Sequence, residues 1–144
     1  MCVLLNGAFA QADTGSDGAT VRFLTGMPGN LEWRARGDVE MTRQFCVESA
    51  TGHFVLAVSS ATGGLNGQAT IPYEVTVEIN GRVRSGIISQ ASPVFSVQGE
   101  ADRESNCTVP SNVGQLTVRL LQKDAMGAVS GSYADQLRVT VASN

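Results

Sequence analysis

Few side chains in this sequence have the type and spacing that catalysis needs. His53 is the single histidine, and proton transfer near neutral pH relies on histidine more than on any other group. It opens the run His-Phe-Val-Leu on the face opposite Phe54, so it reads as a surface residue. No serine stands in the strand-turn-helix setting of a nucleophile elbow, which leaves a Ser-His-Asp triad without support. Glu100, Asp102 and Glu104 in "EADRE" offer oxygens to a hard cation, but the loop glycine and ligand spacing of a calcium cage are missing, and the run reads as a solvated loop. One histidine and no C-x-x-C pair make a poor zinc set. The expectation is a protein that is not an enzyme and has no metal and no cofactor.

Three further signals have plain readings. Arg36-Gly37-Asp38 spells an adhesive tripeptide, yet Gly-Asp here turns the chain into a strand from Val39. Asn106 opens a formal glycosylation sequon whose middle residue is Cys107, and no role is assigned to it. Trp33, the only tryptophan, reads as a packing residue.

Cysteine usage carries more. The opening "MCVLLNGAFAQA" joins a short apolar run to small residues at A-x-A spacing, and it reads as a truncated secretory leader over residues 1–12. The mature chain would then begin near Ala12 or Asp13, and Cys2 would be lost. An even pair remains, Cys46 and Cys107, and in an oxidising compartment it predicts one disulfide. Closing a loop of this length restricts the unfolded chain by about 4 kcal/mol on the chain-entropy argument.

These residues must be positioned by a single domain, since the chain has 144 residues. It is 42% hydrophobic and 16% charged with a net charge of −3, and its basic residues are scattered, so there is no footprint for nucleic acid. No run of about twenty apolar residues predicts a membrane span in the mature chain. Alternation with a period of two marks the strands. In "TIPYEVTVEI", Ile71, Tyr73, Val75, Val77 and Ile79 share one face, and Pro72 suits a strand opening. Asn80-Gly81 then signals a hairpin returning as "RVRSGII". Phe54, Leu56 and Val58 form another core face, and Val39, Met41, Phe45 and Val47 a third, interrupted by Arg43. "PVFSV" and "QLTVRLL" add strands, "LLQKDAM" allows one turn of helix, and "DQLRVTV" closes the chain with Leu137, Val139 and Val141 on one side. Short strands separated by Gly-rich turns and one cysteine pair predict an all-β, antiparallel immunoglobulin-like β-sandwich.

The order of these features resembles the spore coat protein U family, the pilin-like domains of archaic chaperone-usher systems. The likeness runs from about Leu31 to the end and is carried by Cys46 after a Gly-Asp strand, Ile71-Pro72-Tyr73, Cys107, and the closing Gly131, Tyr133 and Asp135. It implies an incomplete sandwich lacking its last strand, spanning residues 26–144, with a groove beside the C-terminal strand walled by Leu137, Val139 and Val141. A periplasmic chaperone, acting with an outer-membrane usher, would fill that groove first. An N-terminal extension from a neighbouring pilus subunit would then replace it. The segment 13–25 is the candidate donor, with Val21 and Phe23 as its plugs, and alternatively the subunit's own first strand. The implied function is a secreted structural or adhesive subunit of a surface fibre, exported to the periplasm and then to the cell surface. The alternative is a stand-alone secreted binding module for carbohydrate, with Trp33 and Tyr73 as contacts.

Overall fold

The computed structural model describes residues 3–6, 11–12, 18–24, 31–33, 37–101, 107, 112–128 and 131–143. Two sheets carry the core. The first has the order β10 (Arg82–Ile88), β9 (Tyr73–Ile79), β12 (Val113–Leu120), β5 (Val39–Ser49) and β3 (Ala19–Phe23), every pair antiparallel. The second has the order β11 (Val94–Glu100), β6 (His53–Ser60), β14 (Leu137–Ser143) and β2 (Gln11–Ala12). A smaller sheet at one end runs β4 (Leu31–Trp33), β1 (Val3–Asn6), β13 (Gly131–Ala134), β7 (Leu65–Asn66) and β8 (Thr70–Ile71). One helical turn, α1 (Gln122–Ala125), follows β12. The antiparallel, all-β sandwich expected from strand spacing is the fold that forms.

Alternation explains the packing. Tyr73, Val75, Val77 and Ile79 are buried on β9, and Phe54, Leu56 and Val58 on β6, while the residues between them face outward. Leu116, Val118 and Leu120 of β12 join the same cluster from the first sheet, and Leu137, Val139 and Val141 join it from the second. Each fully buried aliphatic side chain contributes about 1.5–3 kcal/mol, so burial of these rows dominates the favourable side of folding. The outer face of the first sheet is polar and in register. Ser85 lies opposite Thr76, Thr76 opposite Thr117, and Thr117 opposite Thr42, with hydroxyl contacts of 2.8 Å between Thr76 and Ser85 and 3.0 Å between Thr42 and Thr117. Beside that row Arg119 reaches Glu40 at 3.3 Å and Glu74 at 3.7 Å. These pairs are wet, and they set sheet register more than they add stability.

Arg43 interrupts the inner row of β5 as its place in the sequence suggests. Its residue is half-buried between Met41 and Phe45, Nη1 donates to the carbonyl of Thr42 at 2.9 Å, and Nε is buried with no hydrogen-bond partner. The Asn80-Gly81 turn joins β9 to β10 with Ile79 opposite Arg82, and both turn residues have positive φ, 52° and 76°. That is the mirror-image turn whose twist suits a two-residue hairpin.

Two substitutions test these readings by urea unfolding. A Cβ at Gly81 would meet nothing within 4 Å, so Gly81→Ala isolates the backbone cost and is expected to lower stability by about 1 kcal/mol. Arg43→Met removes an unsatisfied buried donor while keeping an apolar stem, and is expected to raise stability by about 1 kcal/mol.

Candidate functional site

The C-terminal strand pair is built around a bend. β13 ends at Ala134, Asp135 and Gln136 turn the chain, and β14 begins at Leu137 in a different sheet. The residues of the closing motif hold that bend from inside. Tyr133 and Asp135 are buried, at 1% and 3% exposure, and Gly131 opens β13 half-buried.

A carboxylate taken from water must be met by donors. Asp135 Oδ2 accepts from the hydroxyl of Tyr73 at 2.5 Å and from Ser60 Oγ at 2.5 Å. Oδ1 lies 3.0 Å from Thr62 Oγ1, whose proton is shared with the carbonyl of Gly64 at 2.6 Å. Ser60 Oγ in turn accepts from the backbone N–H groups of Gly63 and Gly64, at 2.9 and 3.2 Å. One carboxylate therefore ties together the end of β6, the start of β9 and the loop after β6. Burial, and next the neighbouring Asp135 carboxylate, raise the Tyr73 phenol well above its ordinary value, so it stays a donor throughout the physiological range. The turn between β7 and β8 needs its glycine for close approach to β13: a Cβ at Gly67 would lie 2.6 Å from the carbonyl of Ser132 and 2.7 Å from the Tyr133 ring. The backbone of Ala61 also donates to Gln136 across the bend, at 3.0 Å.

Beyond the bend, β14 is bonded unevenly on its two sides. Toward β6 it makes an unbroken antiparallel register from Leu137 opposite Ser60 to Ser143 opposite Phe54. Toward its other edge, among the described residues, only Arg138 and Val139 are paired, in parallel with Gln11 and Ala12. The line continues onto β13, where Val3–Asn6 lie parallel to Gly131–Ala134. Segments that the sequence reads as part of a leader thus lie along the C-terminal strands of the same chain. The row Leu137, Val139 and Val141 is on one face, as expected, and is fully covered at 1–3% exposure.

The candidate donor segment sits elsewhere. Ala19–Phe23 pair antiparallel with β5, with Val21 opposite Val47 and Phe23 opposite Phe45. Val21 is 5% exposed and Phe23 half-buried, at the edge of the first sheet, so in this structure the segment takes its alternative place as the chain's own first core strand. The physical reason is that an alternating apolar strand suits any apolar face it can pair beside, and β5 offers one.

Other expected residues fall as follows. Cys46 and Cys107 form the predicted disulfide, with Cα atoms 5.6 Å apart. His53 is exposed, with Nδ1 3.9 Å from Glu100 Oε1. Gly37 has φ of 72° and leads into β5, and Asp38 Oδ1 accepts from the N–H of Gln122 at 2.9 Å, the turn role expected of this pair. Tyr73, offered to a sugar in the alternative reading, is fully buried with its hydroxyl committed to Asp135, which removes it as a ligand contact. Arg36, Asp102, Glu104, Asn106 and the side chain of Trp33 lie outside the described residues. Ser60 and Thr62, which hold the carboxylate, had as their only sequence signal a Ser/Thr cluster just before Gly63-Gly64. Compared with known proteins, the chain matches no protein-family model and no curated protein.

The Asp135 cluster has a measurable signature. Tyr73→Phe is expected to cost about 1.5–3 kcal/mol, the worth of a hydrogen bond to a charged group. Because the folded-state phenol is held above its unfolded value, near 10, the native state keeps a proton that the unfolded state loses as pH rises past that value. The stabilisation is complete below about pH 10 and declines above it. Unfolding followed from pH 8 to pH 11 should show the wild-type protein losing stability faster than Tyr73→Phe at the alkaline end; parallel curves would contradict the burial of this phenol.

Proposed function

We propose that the chain is a secreted structural or adhesive subunit of a chaperone-usher type surface fibre, completed along β14 by a strand that can be exchanged. The observation that supports this reading is the imbalance of β14, which among the described residues has seven antiparallel register positions on the β6 side and two parallel ones on the other. A strand edge beside a buried apolar row invites pairing with another polypeptide. Leu137, Val139 and Val141 form the buried row of the strand that carries that edge.

In the structure the chain's own residues 11–12 lie against β14 and residues 3–6 continue the line beside β13, and as seam strands these residues stay in the subunit instead of leaving as the leader that their composition suggests. In a fibre, the N-terminal segment of a neighbouring copy would take that place, after a periplasmic chaperone had held it open. Such head-to-tail contacts do not close on themselves, so they propagate as filaments. The segment 19–23 keeps its place on β5 in this scheme, which shifts the donor toward residues before Gly18. No catalytic step is required of any residue.

A second reading has one observation in its favour. The same parallel strands occupy part of the edge from within the chain, as a stand-alone secreted binding module would need.

Removal of residues 1–12 separates the two. Strand exchange predicts that the shortened chain self-associates, with a lower melting temperature, and that appending residues 1–12 after Asn144 through a flexible linker restores a monomer. A shortened chain that stays monomeric with an unchanged melting temperature would show that the seam needs no partner. A full-length chain that stays monomeric and never takes up a labelled peptide of residues 1–12 would favour the stand-alone module.

A further inference from the structure

The disulfide lies in an uneven charged setting. Cys46 is buried on β5 at 1% exposure, whereas Cys107 is half-buried in the loop ahead of β12. Arg22 sits opposite Cys46 in the β3–β5 register, and its Nε donates toward Cys107 Sγ at 3.2 Å. Glu48 Oε1 lies 3.7 Å from the same sulfur. Among the described residues, the charged groups at Cys107 are therefore one guanidinium from β3 and one carboxylate from β5. A guanidinium beside a sulfur favours its thiolate form and attracts an approaching thiolate, and a carboxylate opposes both.

We propose that Cys107 is the entry sulfur for thiol–disulfide exchange on this protein, that Arg22 is its positioning residue, and that Cys46 is the resolving cysteine. The external partner is a small thiol or a dithiol oxidoreductase in the reducing direction, and its disulfide in the oxidising one. On reduction, a glutathione thiolate attacks Cys107 Sγ. A bond forms between the two sulfurs, the Cys46–Cys107 bond breaks, and its electron pair leaves on Cys46, which takes a proton from water. A second glutathione thiolate attacks the glutathione sulfur of the adduct, giving oxidised glutathione and expelling Cys107 as a thiolate beside Arg22. Two electrons pass from two glutathiones to the protein. Oxidation runs the same steps backward: the Cys107 thiolate attacks the external disulfide and Cys46 then displaces the adduct. Because Arg22 is carried by β3, exchange is guided only after that strand has docked on β5, which links closure of the covalent loop to placement of the N-terminal strand.

The test uses the full, oxidised, folded chain. It is incubated with reduced glutathione under native conditions, quenched in acid, alkylated, and mapped by mass spectrometry. The adduct is expected on Cys107. Arg22→Gln is expected to slow adduct formation by about threefold to tenfold at low ionic strength, Glu48→Gln to speed it, and Arg22→Lys to keep most of the wild-type rate. Oxidation of the reduced chain by oxidised glutathione should show the Arg22→Gln deficit shrinking as pH rises past about 8.5, where an ordinary thiol ionises unaided. An adduct on Cys46, or on both cysteines equally, overturns the proposal. So do rates unaffected by both charge substitutions, or a rate independent of glutathione concentration, which would mean exchange through unfolding.

Discussion

A buried carboxylate held by hydroxyls is the constraint on which the geometry of this molecule turns. Asp135 sits at 3% exposure, where an unpaired charge is strongly unfavourable. It stays only because Tyr73 from β9, Ser60 from the end of β6 and Thr62 from the following loop converge on it. Those donors are separated from it by 62 to 75 positions in sequence, so they meet only when both sheets are assembled. The bend between β13 and β14 is then fixed, and with it the direction in which β14 enters the second sheet. Shifting β14 by one residue would turn Leu137, Val139 and Val141 outward and also withdraw Asp135 from its donors. Apolar burial and polar satisfaction therefore specify one and the same register.

The opposite end of the first sheet is held differently. There Cys46 on β5 lies opposite Val113 on β12, and the disulfide to Cys107 ties down the loop that leads into β12. At the Asp135 end, neutral hydroxyls and a glycine-rich loop approach closely and exclude water, so geometry alone supplies the stability. At the disulfide end the link is covalent and acts mainly on the unfolded chain. Arg22 and Glu48 crowd around that link from two adjacent strands. Charge accordingly surrounds the end that chemistry must reach, and a dry hydrogen-bonded cluster occupies the end that must not move.

The period-two strands were legible because each residue's face depends only on its own neighbours in sequence. Tyr73 through Ile79, Phe54 through Val58 and Leu137 through Val141 are buried on the expected faces, and Asn80-Gly81 turns as its type demands. The pairing of Cys46 with Cys107 was legible from parity once Cys2 was set aside. What stayed hidden depends on contacts distant in sequence. Alternation at Val21 and Phe23 gives an apolar face but does not name the strand beside it, so a donor and a first strand look alike. Residues 3–6 carry an apolar run that reads as a leader by composition, while their parallel place beside β13 is a matter of tertiary pairing. Ser60, at the end of a strand, and Thr62, in the loop after it, look ordinary until Asp135 arrives between them. The role of Arg43 was half visible: sequence showed a charge in an apolar row, but not that its Nε would be buried without a partner.

The two borders of β14 differ in kind as well as in length, and under the proposed strand exchange that difference would select the outer one. The β6 border is continuous and antiparallel, and its hydrogen bonds lie perpendicular to the strands; the outer border, among the described residues, is a parallel pairing of two positions, with slanted and slightly weaker bonds. A replacement strand running the whole length of β14 would make backbone bonds beyond the two positions paired there among the described residues. It would lose nothing on the β6 side, where Asp135 and the Ala61–Gln136 bond keep the register locked. Exchange at this seam, as proposed, would be a local event at an edge, beside the buried row of Leu137, Val139 and Val141. An incoming strand need match those three side chains and a backbone direction, and the rest of the sandwich stays as it is.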